Sequence, residues 1–215
     1  MNNNENLNPK DSRRKRLKPR PGVIKPISLD LGRIIQIYLK ESKGIDPSIG
    51  INRIPVLIIP VLFSFIRTLA VEIENQKEGH GKGTYKSKLL ATLDINMSDE
   101  INKICGFYKI NKELKKSANV LYQIRHEIIH PSPYIENYYP LPKYLQSISL
   151  NGILWEPPEP NFACNVLDFF SSHKLLKWGT LVILDIAQEI LDSDIKHKHL
   201  NEIYYILLNE LRLEG

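Results

Sequence analysis

Between Ile54 and Ile66 the chain reads IPVLIIPVLFSFI, thirteen residues without a single charge. A helix made from this run is apolar on every side, so it has to be buried in a protein core or in a bilayer. Arg67 closes the run well short of the roughly 20 residues that a bilayer crossing takes. The expectation is therefore a buried core helix, starting between Pro47 and Asn52 and running towards Gln76, with Pro55 near its first turn and Pro60 kinking it. A chain of 215 residues is long enough to enclose such a helix in one domain.

Helical periodicity recurs on both sides of this run. In SLDLGRIIQIYLKES the residues Leu31, Ile34, Ile35 and Leu39 share a side, with Ser28 suited to cap the start and Gly44 to mark the end. Gly79, Gly81 and Gly83 mark a flexible connection, and short helices are expected at 86–93 and 98–107, the second capped by Ser98. After Asn111 comes KELKKSANVLYQIRHEIIH, a helix that Pro131 must stop. Seven prolines and several tyrosines between Pro131 and Pro160 read as one long structured loop. Asn165 followed by Asp168 forms the capping signature of a helix that continues to about Leu191, and a last helix covers about 195–211. No alternating strand pattern and no internal repeat competes with these signals. The expected fold class is all-α, a helical bundle with a long Pro-rich loop after the helix that ends at Pro131.

Charge separates a tail from a body. Residues 1–25 hold eight Lys or Arg against Glu5 and Asp11, a net +6, which leaves −1 of the total +5 for the rest. With few large apolar groups these residues cannot offset the entropy of ordering, so the expected organisation is a disordered basic tail at 1–25 and one helical domain at 26–215. RRKRLKPR in the tail could hold RNA phosphates through charge, mark a contact with a partner, or be solvated without a dedicated role. Cys105 and Cys164 provide neither a disulfide framework nor the spacing of a zinc knuckle, and read as small buried hydrophobes in a reducing compartment. The polar start Met1–Glu5 lacks a secretory apolar region. A cytoplasmic location and no membrane partner are expected.

The chemistry concentrates at Arg125-His126-Glu127-Ile128-Ile129-His130. On a wheel of about 100° per residue centred on Leu114, Ala118, Leu121, Ile128 and Ile129 fall within about 60° of the centre and form the expected buried stripe. Arg125 falls at about 20°, inside the stripe, while His126 and His130 fall at about 120° and 160°. A guanidinium on an apolar face has to be satisfied. Either Arg125 snorkels or pairs with a carboxylate, or it faces a cleft or subunit interface where its planar fork can hold a phosphate.

An arginine, a polar residue directly after it and a histidine five positions beyond it, at the end of a bundle helix, resemble the signature of HEPN domains. In LYQIRHEIIHP the matching residues are Arg125, His126 and His130. Members of that superfamily are helical bundles, include many ribonucleases of toxin and antiviral systems, and usually pair so that two motifs face each other in a composite cleft. The resemblance implies a homodimeric, metal-independent endoribonuclease that needs no cofactor. His130 would act as base or as proton donor to the leaving oxygen, Arg125 would neutralise charge gathering on the phosphate, and His126 would orient the phosphate or serve as the partner acid. The products would be a 2′,3′-cyclic phosphate and a 5′-hydroxyl. A toxin of this kind also implies a neutralising antitoxin or other regulatory protein. One branch of the family carries a tyrosine two residues after the final histidine, where this chain has Ser132.

The same letters satisfy HExxH, in which His126 and His130 would chelate zinc and Glu127 would activate the bound water. Pro131 disfavours the helical conformation at His130, and the third-ligand candidates Glu136, Glu156, Glu159 and His173 form no second motif. A third alternative is a non-catalytic helical module that binds nucleotides or partners. His80, His173, His197 and His199 read as surface or satisfied core histidines. Tyr134, Tyr138 and Tyr139 either pack the loop onto the bundle or stack on RNA bases, and Trp155 and Trp178 read as core or interface residues.

Overall fold

The computed structural model describes residues 26–45, 51–77, 100–131, 143–157, 165–193 and 201–214. Every element there is an α-helix: α1 (Ile27–Lys43), α2 (Ile54–Lys77), α3 (Glu100–Phe107), α4 (Lys112–Ile129), α5 (Lys143–Leu150), α6 (Val166–Phe169), α7 (His173–Asp192) and α8 (Glu202–Glu214). The tail at 1–25, the connection at Gly79–Gly83, the helix expected at 86–93, Ser98 and the start expected for the last helix lie outside the described residues.

The apolar run builds the centre of the bundle. Ile58, Ile59, Leu62, Phe63, Phe65, Ile66, Leu69, Ala70 and Ile73 of α2 are buried. They face α1, α7, α3 and α4, all of which pack on α2. The helix runs past Arg67 to Lys77 with Pro60 inside it, close to the end expected near Gln76, and begins at Ile54, a little later than the expected start between Pro47 and Asn52. By length and composition Ile54–Gln76 could cross a membrane, and half of its apolar window is buried within the bundle. Its polar groups are engaged inside the fold as well, since Arg67 pairs with Glu100 at 3.1 Å and Glu74 accepts from the Tyr108 hydroxyl at 3.0 Å.

Glu72 ties three helices together. Its carboxylate accepts from the Ser28 hydroxyl and backbone N–H and, at 3.1 Å, from the Tyr204 hydroxyl. Burial, followed by the Glu72 charge, pushes the Tyr204 phenol well above its ordinary range. Ser28 therefore works as a buried anchor rather than the expected cap. The cap position belongs to Pro26, whose carbonyl accepts from Leu29 N at 3.2 Å.

Two further expectations change. The stretch 131–160 is not one loop, because α5 forms within it on the Pro-free segment after Pro142 and buries Leu145 and Ile148. Two helical turns are too short to produce a recognisable period between flanking prolines. The helix starting at Asn165 is also not continuous to Leu191. The Asn165–Asp168 capping box starts α6, which ends at Phe169, and α7 begins again at His173 after Ser171 and Ser172. Serine offers the chain side-chain hydrogen bonds that compete with the helix, and Ser171 donates to Leu167 O at 2.7 Å.

α4, the helix with the motif, is held at its start by Asn111. The Asn111 Oδ1 accepts from Leu114 N at 2.8 Å, and Asn111 N and Nδ2 both donate to the Glu189 carboxylate of α7. Replacing Asn111 with Ala removes the cap and the side-chain half of the link to α7 together, leaving the backbone N–H bond to Glu189. The expected loss is about 1.5 kcal/mol of stability, read as a lower urea midpoint with unchanged slope. A loss below about 0.3 kcal/mol would mean that α4 does not depend on this end.

Candidate functional site

The last two turns of α4 carry the motif, and two neighbouring helices give it its geometry. Ala118, Leu121 and Ile124 form the fully buried side of α4. Ile124 lies at about 280° on the wheel, so the true buried face is rotated towards it and away from Ile129, which is 42% exposed. The expected stripe was right for Ala118 and Leu121, and Leu114 and Ile128 pack partly against the core, but Ile129 belongs to the surface.

Arg125 sits at the edge of that rotated face and is half-buried. Its guanidinium carbon lies 5.3 Å from the centre of the Phe63 ring of α2, which Tyr122 meets edge-on at 6.2 Å. Among the described residues, this cation–π contact is what meets the charge: an aromatic face rather than a carboxylate. It leaves hydrogen bonding open, because Arg125 Nε is shielded from solvent and has no hydrogen-bond partner among the described residues.

His126 and His130 are both exposed, with ring centres 5.1 Å apart and planes tilted by 53°. His130 has left the helix, at φ −126° and ψ 63°, while its N–H still reaches His126 O at 2.8 Å. This is the conformational effect expected of Pro131 on the residue before it. An open groove of about 250 Å³ runs beside the pair, lined by Tyr122, Gln123, His126, Glu127 and Tyr144.

The fold thus brings the two imidazoles together, while Arg125 faces Phe63 with no hydrogen bond or ion pair to either histidine among the described residues. Neither Arg125 nor His130 is sealed in the core. Two imidazoles at this distance can divide acid and base roles on one substrate. The groove adds Tyr122 and Gln123, whose positions four and three residues before His126 made them legible, and Tyr144, which only the docking of α5 could reveal.

The zinc pattern gains little from this geometry. His130 is no longer on the helix face that HExxH requires, and among the described residues no group of three His, Cys, Asp or Glu gathers. Glu156 is exposed, and His173 heads α7 with its pKa lowered by burial, then by Lys177 and Lys43. Glu136, Glu159, His80, His197, His199, Cys164, Ser132 and Tyr134, Tyr138 and Tyr139 lie outside the described residues. Comparison with protein-family models, curated proteins and solved structures found no match to this chain.

Proposed function

We propose that the chain is a metal-independent endoribonuclease of HEPN type that cleaves single-stranded RNA by attack of the 2′-hydroxyl on the adjacent phosphorus. The observation that carries this reading is the pair of exposed imidazoles, His126 and His130, the first directly after a half-buried guanidinium whose Nε has no partner among the described residues. His130 takes the proton from the 2′-hydroxyl, and His126 protonates the 5′-oxygen as it leaves. Arg125 stabilises the charge on the non-bridging oxygens, where a phosphate would supply the acceptor that its Nε lacks.

Within one copy, about 100° of helix rotation separates Arg125 from His126. A homodimer resolves this by setting the arginine of one copy opposite the histidines of the other. Ile129, exposed within the motif segment, suits the apolar centre of such a contact. The same separation also favours the second reading, a non-catalytic helical module in which the histidines bind a nucleotide and Arg125 only packs. A neutralising protein partner and a role in toxin–antitoxin or antiviral systems, inside the cytoplasm, complete the proposal.

The test uses a short single-stranded RNA and its all-2′-deoxy counterpart, both in excess EDTA. The RNA is expected to be cut to 2′,3′-cyclic phosphate ends and the deoxy strand to stay intact. Cutting of both strands, or loss of cutting in EDTA, would refute the mechanism, and nucleotide binding without cutting would favour the non-catalytic module.

A further inference from the structure

A second groove of about 260 Å³ lies between α4, the end of α5 and α7, lined by Lys116, Ser117, Val120, Ser147, Ile148, Asn151, Ile153 and Trp178. Its walls come from the same two helices that shape the histidine groove. There, Tyr122 to Glu127 of α4 face Tyr144 of α5, and here Lys116 to Val120 face Ser147 to Asn151. The residue numbers rise on one wall as they fall on the other, so α4 and α5 run antiparallel and both grooves open along one seam. From Val120 to His126 the helical rise covers about 9 Å, short enough for a single strand to lie over both.

The second groove combines an indole with small polar groups and a lysine. Trp178 offers a half-buried indole, and Ser117, Ser147 and Asn151 offer hydroxyl and amide groups able to meet base edges. Among the described residues no carboxylate lines it. Lys116 is exposed at its margin, where its one ion pair among the described residues is a surface pair with Glu113 one turn away at 2.8 Å, an interaction weak enough for a phosphate to replace. Lys174, one turn before Trp178 on α7, brings its Nζ to 3.9 Å from where a side chain on Gly152 would begin. Gly152 has φ +62°, a conformation open to glycine, and the turn it makes sets Asn151 and Ile153 into the lining.

We infer that this groove is a subsite for the RNA strand, in which Trp178 stacks on one base while Lys116 and Lys174 hold the flanking phosphates. The inference rests on the ribonuclease reading for its choice of ligand, and it gives that reading a binding site away from the scissile bond. Aromatic stacking tolerates any base, so the subsite contributes affinity and register rather than sequence choice.

The probe is a 2′-O-methyl hexauridylate, which has no free 2′-hydroxyl and is not cut. The chain has two tryptophans, so in a Trp155→Phe background the fluorescence reports Trp178 alone. The hexamer is expected to quench it. Trp178→Leu should weaken binding about tenfold while Trp178→Phe retains most of it, and an abasic hexamer with the same phosphates should bind about as weakly as the Leu variant binds the intact probe. Lys116→Ala and Lys174→Ala should each reduce the slope of log affinity against log salt by about 0.7. Should Trp178→Leu fail to fold, Asn151→Ala, on an exposed residue of the same lining, is expected to weaken binding about threefold, the loss of one hydrogen bond. Equal binding of abasic and intact hexamers, or an unquenched Trp178, would overturn the subsite. Cleavage is scored separately: quenching without any cutting of ordinary RNA retires the nuclease and keeps the groove, and cutting that is indifferent to Trp178→Leu does the reverse.

Discussion

His130→Ala is expected to slow RNA cleavage by roughly two to four orders of magnitude and to leave the affinity for uncleavable RNA and the helical content unchanged. His130 is exposed, its only side-chain contact among the described residues is the ring of His126, and it caps α4 through its backbone. No other packing or hydrogen bond among the described residues depends on its imidazole. Arg125→Met gives the sharper comparison because activity and stability should move in opposite directions. A methionine puts a sulfur–aromatic contact on Phe63 in place of the cation–π one and removes a shielded donor that has no acceptor among the described residues, so stability is expected to hold or rise by about 0.5–1 kcal/mol. Cleavage should meanwhile fall roughly 100-fold or more with the loss of the charge that meets the phosphate. If Arg125→Met instead destabilises the chain by about 3 kcal/mol, the scale of breaking a buried charge pair, Arg125 is a structural residue and the site is misassigned. Mixing the His130→Ala and Arg125→Met chains tests the composite cleft directly. A mixed dimer joins one intact arginine to one intact histidine from opposite copies, so activity should return on mixing two inactive proteins, and would stay absent if each copy carried its own complete site.

How far these residues could be read from the sequence depends on which neighbours decide their positions. The end of α4 was legible because its causes are local: Pro131 constrains His130, and the observed φ of −126° is that constraint in place. The burial of the opposite side was only half legible. Ile124 and Ile129 lie about 140° apart on the wheel, so one helix face cannot bury both. Ile124 is the one buried, on the helix that α2, α3 and α7 pack against, and Ile129 is left at the surface. A centre drawn on Leu114 cannot contain that information.

The loop after Pro131 shows the same limit at a larger scale. Pro131, Pro133, Pro140 and Pro142 precede α5, and Pro157, Pro158 and Pro160 follow it, so averaging over the whole stretch hid a segment free of proline. Tyr144 reaches the histidine groove, and Asn151 the second one, only because α5 folds back along α4. That is a tertiary fact with no local signature. Arg125 falls between the two cases. Its place near the apolar side was plain from spacing, whereas the Phe63 ring beneath it comes from more than sixty residues earlier in the chain.

Gly179→Val should destabilise the protein by about 3 kcal/mol, more than any single surface change near the site. Gly179 is buried where α7 crosses α4 and α2. A β-carbon there would lie 2.9 Å from Leu121 Cδ1 and 3.5 Å from Leu62 Cδ1. In an open helix the exchange of glycine for valine would be favourable by about 0.3–0.5 kcal/mol, so the sign of the effect is set entirely by this crossing. Valine adds two methyl groups to the β-carbon, and Leu121, which is 0% exposed, has nowhere to retreat. Leu121→Ala alone leaves a cavity and costs about 3 kcal/mol as well. Combined, the two substitutions should cost about 1–2 kcal/mol less than their sum, because the space opened at Leu121 receives the new methyl groups. Urea unfolding of the four proteins closes the cycle. Strict additivity would place the strain of Gly179→Val elsewhere and remove the α4–α7 crossing as the contact that holds the motif helix in position.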